Sequence, residues 1–192
     1  MISPYEQCPI YENENYLLRL VEASDGPDLL RVYSDKKAVP YFNSDNCNGD
    51  DFYYTTLERM QAAIDFWLRA YGDKGFVRWA IVDKGAGQAV GTIELFNRRA
   101  WDYFDNCGLL RLDLRSDYEQ ADRIEEILSL IVHPGFELFD CRMMATKIPA
   151  FAGERIAAAG RLGFTASGEK LRGGEDGREY GDYFVLPGKQ KT

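Results

Sequence analysis

A regular alternation of leucine with charged residues over 109–115, LLRLDLR, runs directly into a helical pattern over about 122–132. Leucines at every second position predict a strand with one apolar face. The apolar residues of the helical pattern recur at three- and four-residue steps, at Ile124, Ile127, Leu128 and Ile131. A strand that leads into a helix N-terminus can hold an anion. The turn between them, 115–126, therefore constrains what the chain can bind.

The same two periodicities locate the other elements of the chain. The predicted strands cover 16–22, 76–82, 89–96 and 142–148, with a last hairpin over 165–172 and 178–186. The predicted helices cover 24–35, about 53–71 and 153–163. Residues 39–51 are rich in Asn, Asp and Gly and predict a loop, and Pro134 and Gly135 should interrupt their helix or start a fresh turn. With no repeat and no linker, this order predicts one mixed α/β domain over 1–192.

The charge of the chain narrows the classes of partner. Its 192 residues carry a net charge of -8, which repels phosphate backbones and anionic lipid. No apolar run is long enough to cross a membrane, and the N-terminus lacks the basic start and apolar core of a signal peptide. We therefore expect a cytoplasmic protein that has neither nucleic acid nor a membrane as its partner.

A metal site is not expected from the cysteine and histidine content. Cys8, Cys47, Cys107 and Cys141 are scattered without a Cys-x-x-Cys pair, and His133 is the single histidine. A Cys-His nucleophilic pair is formally open, but a scattered cysteine is more often a small buried hydrophobic residue.

Five short motifs in order carry a family resemblance. They are NYLLRL, DGPDLLRVYSD, AVGTIELF, GRLGFTASG and YGDYFVL. Together they resemble the GNAT superfamily of acetyl-CoA-dependent N-acetyltransferases, in particular the branch of ribosomal-protein-alanine acetyltransferases. The likeness spans roughly 14–186. It implies an α/β (α+β) fold, with a mixed, mostly antiparallel sheet whose central strands splay apart between flanking helices.

The resemblance also implies a cofactor-like substrate and a site. Acetyl-CoA would donate the acetyl group to a primary amine of a peptide or a small molecule, and a homodimer is left open. Backbone groups of Asp113, Leu114 and Arg115 would pair with pantetheine. A turn at a helix N-terminus would wrap the pyrophosphate, and by position its residues are Gln120, Ala121, Asp122 and Arg123.

This turn departs from the family pattern, because both expected glycines are missing. Asp122 and Glu125 have the spacing of a capping box, so a carboxylate would satisfy the N–H groups that a phosphate uses. Glu119 would add repulsion, and only Arg123 favours an anion. The residues 152–155 also replace the Asn-x-x-Ser that the branch often carries.

Three readings of the chain remain open at this point. It is an N-acetyltransferase, a degenerate domain that binds another ligand or a protein, or an enzyme using an acyl donor without the nucleotide end. We expect the turn not to hold a pyrophosphate in the usual way.

Glu94, Asp113 and Tyr118 are the candidate catalytic residues. Glu94 lies between apolar neighbours on a strand and is a candidate base, although a solvent-facing or salt-bridged Glu explains it as well. Asp113, between Arg111 and Arg115, either accepts the proton of the amine or belongs to a charge ladder. Tyr118 is a candidate acid for the leaving thiolate, or it packs its ring and exposes its hydroxyl.

Two aromatic groups are candidates for a substrate pocket. The first, between the first two helices, comprises Tyr41, Phe42, Tyr53, Tyr54 and Trp67. It either shapes an amine pocket or packs in the core. The second comprises Trp101, Tyr103 and Phe104, which predict a loop at the edge of the cleft or an exposed contact patch.

Overall fold

A computed structural model describes residues 3–188, and within them ten strands and five α-helices form. The strands are β1 (Tyr11–Glu12), β2 (Tyr16–Leu20), β3 (Val77–Asp83), β4 (Gln88–Arg98), β5 (Cys107–Leu114), β6 (Met143–Lys147), β7 (Thr165–Ala166), β8 (Leu171–Arg172), β9 (Glu179–Tyr180) and β10 (Tyr183–Pro187). The helices are α1 (Gly26–Tyr33), α2 (Leu57–Gly72), α3 (Ala121–Ser129), α4 (Val132–Leu138) and α5 (Gly153–Arg161). A short 3-10 turn, Ser116–Tyr118, joins β5 to α3.

Eight of these strands form one sheet in the order β1-β2-β3-β4-β5-β6-β10-β7, and β8 pairs with β9 separately. Neighbouring strands are antiparallel, except that β5 and β6 run parallel. The prediction of a mixed, mostly antiparallel sheet flanked by helices is confirmed.

The two central strands separate along their length. β5 pairs with β4 as far as Leu114, but it pairs with β6 only as far as Leu110, which lies opposite Thr146. From Arg111 onward, the edge of β5 that faces β6 has no strand partner. This splay opens a cleft in the middle of the sheet.

Alternation along β3 supplies side chains to both faces of the sheet. Trp79 and Ile81 join the core beneath α3 and α5, whereas Ala80 joins the core beneath α1 and α2. Leu110, Leu112 and Leu114 of β5 point to the α3 and α5 face, as the sequence predicts, whereas Leu109 packs in a smaller cluster with Phe104 and Tyr183. Each face of the sheet is therefore covered by its own pair of helices.

Helices end at two places where the sequence predicts it. The helical pattern breaks after α3, and the new helix α4 contains Pro134 and Gly135. Gly163, just after α5, has a φ of +91°, a backbone conformation that glycine adopts without strain.

The predicted last hairpin forms, but its pairing is interrupted. Its two arms are antiparallel and pair twice, β7 with β10 at the outer end and β8 with β9 at the inner end. The outer pair belongs to the large sheet, where β10 also pairs with β6, and the inner pair forms the separate two-stranded sheet. The pairing of β10 with β6 has no local signal in the sequence, because the two strands are distant along the chain.

Candidate functional site

Arg155 of α5 fills the cleft next to the free edge of β5. Its Nη1 donates to the carbonyl oxygen of Leu112 at 2.9 Å and to that of Tyr41 at 3.0 Å. Its Nε donates to Oε2 of Glu119 at 2.9 Å. The side chains of Arg155 and Glu119 are only 5% and 6% exposed. A buried ion pair therefore occupies the backbone acceptor that a ligand lying along β5 would use.

The backbone amides of the turn after β5 have acceptors within the protein. The N–H groups of Tyr118, Glu119 and Gln120 donate to backbone carbonyls two or three residues earlier, at 2.8–3.2 Å. The N–H of Ala121, the first residue of α3, donates to Oε2 of Glu154 at 2.7 Å. Two of the four residues predicted to wrap a pyrophosphate, Gln120 and Ala121, thus have backbone amides that are already satisfied.

The predicted capping box at Asp122 is wrong. The N-cap of α3 is Gln120, whose φ of -128° and ψ of 135° are extended, and its own side chain makes no capping bond. The side chain of Asp122 is 91% exposed and pairs with Arg161 at 2.6 Å. The N-terminus of α3 is still capped by a carboxylate, but that carboxylate comes from Glu154 on another helix.

The side chains of the remaining residues predicted to bind the cofactor have partners within the protein, while the pairing of the Leu114 and Arg115 backbone with pantetheine stays a prediction. The side chain of Leu114 is buried in the core. The guanidinium of Arg115 pairs with Asp117 at 2.6 Å, and that of Arg123 lies 4.8 Å from the centroid of the Tyr118 ring. Glu119, expected to repel a phosphate, is neutralised by Arg155.

The residues present therefore do not fit acetyl-CoA in the way that the resemblance implies. The carbonyl of Leu112, on the free edge of β5 next to the residues expected to pair with pantetheine, accepts from Arg155. The pyrophosphate needs free amides at the α3 N-terminus, where Ala121 donates to Glu154. Both groups would have to leave before this cleft could hold the nucleotide thioester.

Glu94 lies in a row of charges that crosses three adjacent strands. It is directly opposite Arg78 of β3 and Arg111 of β5. Facing side chains on neighbouring strands lie within contact distance. One carboxylate oxygen accepts from Nη2 of Arg78 and the other accepts from Nη1 of Arg111 at 2.7 Å. Glu94 is 1% exposed, so both of its oxygens are bonded and buried.

Asp113 lies one row farther along the same face. Its Oδ2 accepts from the Tyr33 hydroxyl at 2.7 Å and from Nη1 of Arg78 at 3.1 Å. The Tyr33 hydroxyl also lies 2.8 Å from the hydroxyl oxygen of Thr92. Asp113 therefore belongs to a charge network with the neighbouring strand and α1, which is the structural reading of the Arg-Asp-Arg pattern.

The environment of Glu94 makes it a weak base. Burial alone would raise the pKa of Glu94, but the charges of Arg78 and Arg111 outweigh burial and hold its pKa below the usual range. A general base works best when its pKa lies near the working pH. In this conformation Glu94 is a buried anion with both oxygens paired, and its role as a base stays a prediction.

Tyr118 does have a polar partner, but it lies away from the cleft. Its hydroxyl donates to Oδ2 of Asp83 at 2.6 Å. Burial, together with this hydrogen bond, raises the pKa of Tyr118 to about 12. The hydroxyl proton of Tyr118 is thus bonded to Asp83, and the catalytic role of Tyr118 stays a prediction.

The first aromatic group divides between core and cleft. Phe42, Tyr54 and Trp67 are buried beneath α1 and α2. The Tyr41 ring lies edge-on to Phe151 with centroids 5.2 Å apart, beside Arg155. Tyr41 thus helps to close the cleft.

The second aromatic group divides similarly. Phe104 is buried, Tyr103 is 41% exposed and Trp101 is fully exposed.

Sequence reasoning missed the basic residues that hold these acids. Arg78 is 1% exposed in its side chain, and its guanidinium lies 4.2 Å from the Trp67 ring centroid. A signal was present, because Arg78 lies between apolar residues of a strand. The departure at 152–155 was noticed, but its partners Glu119 and Ala121 lie more than thirty residues away in sequence.

Two further observations bear on partners. Among residues 3–188, no group of three His, Cys, Asp or Glu side chains is placed to hold a metal ion. None of the helices in that same range combines the length and the apolar character needed to cross a membrane.

Comparison with known proteins identifies a matching protein family. A family model described as an acetyltransferase (GNAT) domain matches residues 15–165. A comparison with curated proteins finds no match.

Solved structures share the fold at low identity. Ribosomal-protein-S5-alanine acetyltransferase from Vibrio fischeri is 16% identical with a TM-score of 0.71, over 96% of this chain and 99% of that chain. An acetyl transferase from Salmonella typhimurium, which modifies the N-terminal serine of ribosomal protein L7/L12, is 14% identical with a TM-score of 0.66, over 93% and 99%. A ribosomal L7/L12 alpha-N-protein acetyltransferase, solved with coenzyme A, is 15% identical with a TM-score of 0.63, over 93% and 98%.

Proposed function

The chain belongs to the GNAT acetyltransferase family, and we propose that within it this chain is a binding domain that does not carry acetyl-CoA in the splayed cleft. The observation that carries the proposal is the bond from Arg155 to the carbonyl of Leu112. The same arginine neutralises the buried Glu119. Removing either partner alone would leave a charge buried without its counterion, which is costly. The ion pair is therefore a stable closure of the cleft.

A second candidate function is N-acetyl transfer from acetyl-CoA to a primary amine, on a protein N-terminus or a small molecule. Two observations favour it: the family match over 15–165 and the splay of β5 from β6, which the fold retains. Two of the similar structures act on ribosomal proteins by their names. For this candidate, the pair Arg155–Glu119 would have to open.

Calorimetric titration of CoA and acetyl-CoA into the full chain separates the two candidates. The informative variant is Glu119→Gln with Arg155→Ser, because it frees the Leu112 carbonyl without leaving an unpaired buried charge. Arg161→Ser, on the exposed end of the same helix, is the control. Binding by the double variant alone would support closure by the protein's own ion pair. Binding by the native chain at micromolar strength would refute the proposal.

Two further experiments complete the test. The first is titration with acetyl-pantetheine, which lacks the nucleotide end. This donor does not need the turn before α3, although it still needs the free edge of β5. If the native chain binds acetyl-CoA, a screen of peptide and small amines for thiol release follows, and the acetyltransferase candidate stands. The homodimer stays a prediction that sedimentation of the native chain checks.

A further inference from the structure

A second cleft, of 520 Å³, lies between the loop after β4 and the β8–β9 sheet, with the first half of β5 as its floor. It shares no lining residue with the closure around Arg155. Four arginines line it, namely Arg98, Arg99, Arg111 and Arg172. Such a concentration of positive charge is unexpected in a chain with a net charge of -8. We call it the arginine cleft.

Part of the charge in the arginine cleft is neutralised within the protein. The pairs are Arg98–Asp102 at 2.6 Å, Arg111–Glu94 at 2.7 Å and Asp45–Lys147 at 2.6 Å. These pairs account for both carboxylates that line the cleft. The acids therefore do not cancel the other two arginines.

Arg99 and Arg172 are the cations left over. Both are exposed, and within residues 3–188 neither guanidinium makes a hydrogen bond or an ion pair. The backbone of Arg172 is nevertheless held: its N–H donates to Asp102 at 3.0 Å and its carbonyl accepts from Arg98 at 2.7 Å. The Arg98–Asp102 pair thus joins the two walls of the cleft and fixes the backbone of Arg172, while Arg99 directly follows Arg98 in sequence.

The rim adds a flat apolar surface. Trp101 is fully exposed, whereas the other two tryptophans, Trp67 and Trp79, are 3% and 0% exposed. An indole face in water gains from stacking on a planar group. A guanidinium gains from paired hydrogen bonds to carboxylate or phosphate oxygens.

We propose that the arginine cleft binds a small planar ligand that carries carboxylate or phosphate groups. Trp101 stacks on the ring, and Arg99 and Arg172 bind the anionic groups. The inference deepens the proposed function, on which it rests, by naming the class of ligand that the domain takes.

The test is titration of the full chain with isophthalate, a planar dicarboxylate, at low ionic strength. We expect saturable binding by calorimetry and a change in the fluorescence of the exposed Trp101. Phenyl phosphate is the second probe and shows whether phosphate or carboxylate is preferred. Uncharged isophthalamide should bind about tenfold more weakly or worse, because charge-assisted hydrogen bonds are lost.

The matched variants are two double substitutions of exposed arginines. Arg99→Gln with Arg172→Gln should weaken isophthalate by about tenfold or more. Arg31→Gln with Arg178→Gln changes the net charge equally outside the cleft and should leave affinity within about twofold. Equal weakening by both would overturn the proposal in favour of general electrostatic attraction. Absence of binding of either probe at millimolar concentration would also overturn it.

The two proposals can fail separately. Binding of acetyl-CoA by the native chain that Arg99→Gln with Arg172→Gln leaves unchanged would refute the proposed function without altering the isophthalate result. Trp101→Ala should weaken isophthalate and remove the fluorescence change, while the buried tryptophans keep their emission.

Discussion

Arg78 lies between two buried carboxylates, those of Glu94 and Asp113, with 1% of its side chain exposed. Glu94 and Asp113 are themselves only 1% and 2% exposed. We predict that Arg78→Met lowers the free energy of unfolding by about 3–5 kcal/mol, because it leaves buried charges without their counterion. Urea unfolding followed by circular dichroism measures this.

The matched controls distinguish a charge effect from lost packing. Arg31→Met removes a half-exposed arginine paired with Asp28 and should cost less than about 1 kcal/mol. Adding Asp113→Asn to Arg78→Met should recover part of the loss, since Glu94 keeps Arg111 as its counterion and Asp113 no longer carries an unpaired charge. A loss that this addition only deepens would show that packing around the guanidinium is what matters.

Glu94 should also make the stability depend on pH. Its pKa in the folded chain is lowered, since Arg78 and Arg111 outweigh the opposing effect of burial. The stability that it contributes is therefore present above its usual pKa of about 4.3 and is lost as the pH falls through the lower folded value. We predict that the stability difference between the native chain and Glu94→Gln shrinks on acidification.

Unfolding free energies measured from about pH 7 to about pH 3 would check this. Other carboxylates titrate in both proteins, so their contributions cancel in the difference. Glu169→Gln, at an exposed position, is the control for the change in net charge. A native-minus-variant difference that is flat through the acid range contradicts the assignment.

At the scale of elements, the start of α3 depends on a carboxylate from α5. We predict that Glu154→Ala costs about 0.5–2 kcal/mol, the usual range for losing an N-terminal cap, because the N–H of Ala121 loses its acceptor. The Asp122→Ala control should cost about 0.5 kcal/mol or less, as its side chain is 91% exposed. Hydrogen exchange at the Ala121 amide should speed up only in Glu154→Ala. A larger loss of stability and faster exchange in Asp122→Ala than in Glu154→Ala would instead support the capping box at Asp122 that the sequence predicts.

The elements themselves could be predicted because their signals are local. Alternation placed β5 at 109–115 against an observed Cys107–Leu114, and three- and four-residue steps placed α3 at 122–132 against Ala121–Ser129. The pairing of β10 with β7 belongs to the predicted last hairpin, but the pairing of β10 with β6 could not be predicted, since β6 lies nearly forty residues away.

The candidate site could be predicted only in part. The missing glycines and the altered 152–155 stretch indicated that the turn is not built for a pyrophosphate. The closing group was not predicted, because Arg155 reaches Leu112 and Glu119 across the fold. Sequence spacing also could not show that Glu94 lies directly between Arg78 and Arg111, which depends on strand register.

At the scale of the whole molecule, the sheet couples the two helical layers. Alternate residues of β3 enter different cores, so loss of either layer exposes one face of the same strand. The charge network beneath α1 and α2 also bridges β3, β4 and β5. If one helical layer unfolded alone, it would expose one face of the sheet to water while the other face was still packed.

We therefore predict a single cooperative unfolding transition reported equally by both layers. Trp79 belongs to the core beneath α3 and α5, and Trp67 to the core beneath α1 and α2. Two single-tryptophan proteins isolate them: Trp67→Phe with Trp101→Phe, and Trp79→Phe with Trp101→Phe. In each, the urea midpoint by fluorescence should coincide with that by circular dichroism, as two-state unfolding requires. If Trp67 reports an earlier midpoint than circular dichroism in its own protein, α1 and α2 detach first and the layers are not coupled.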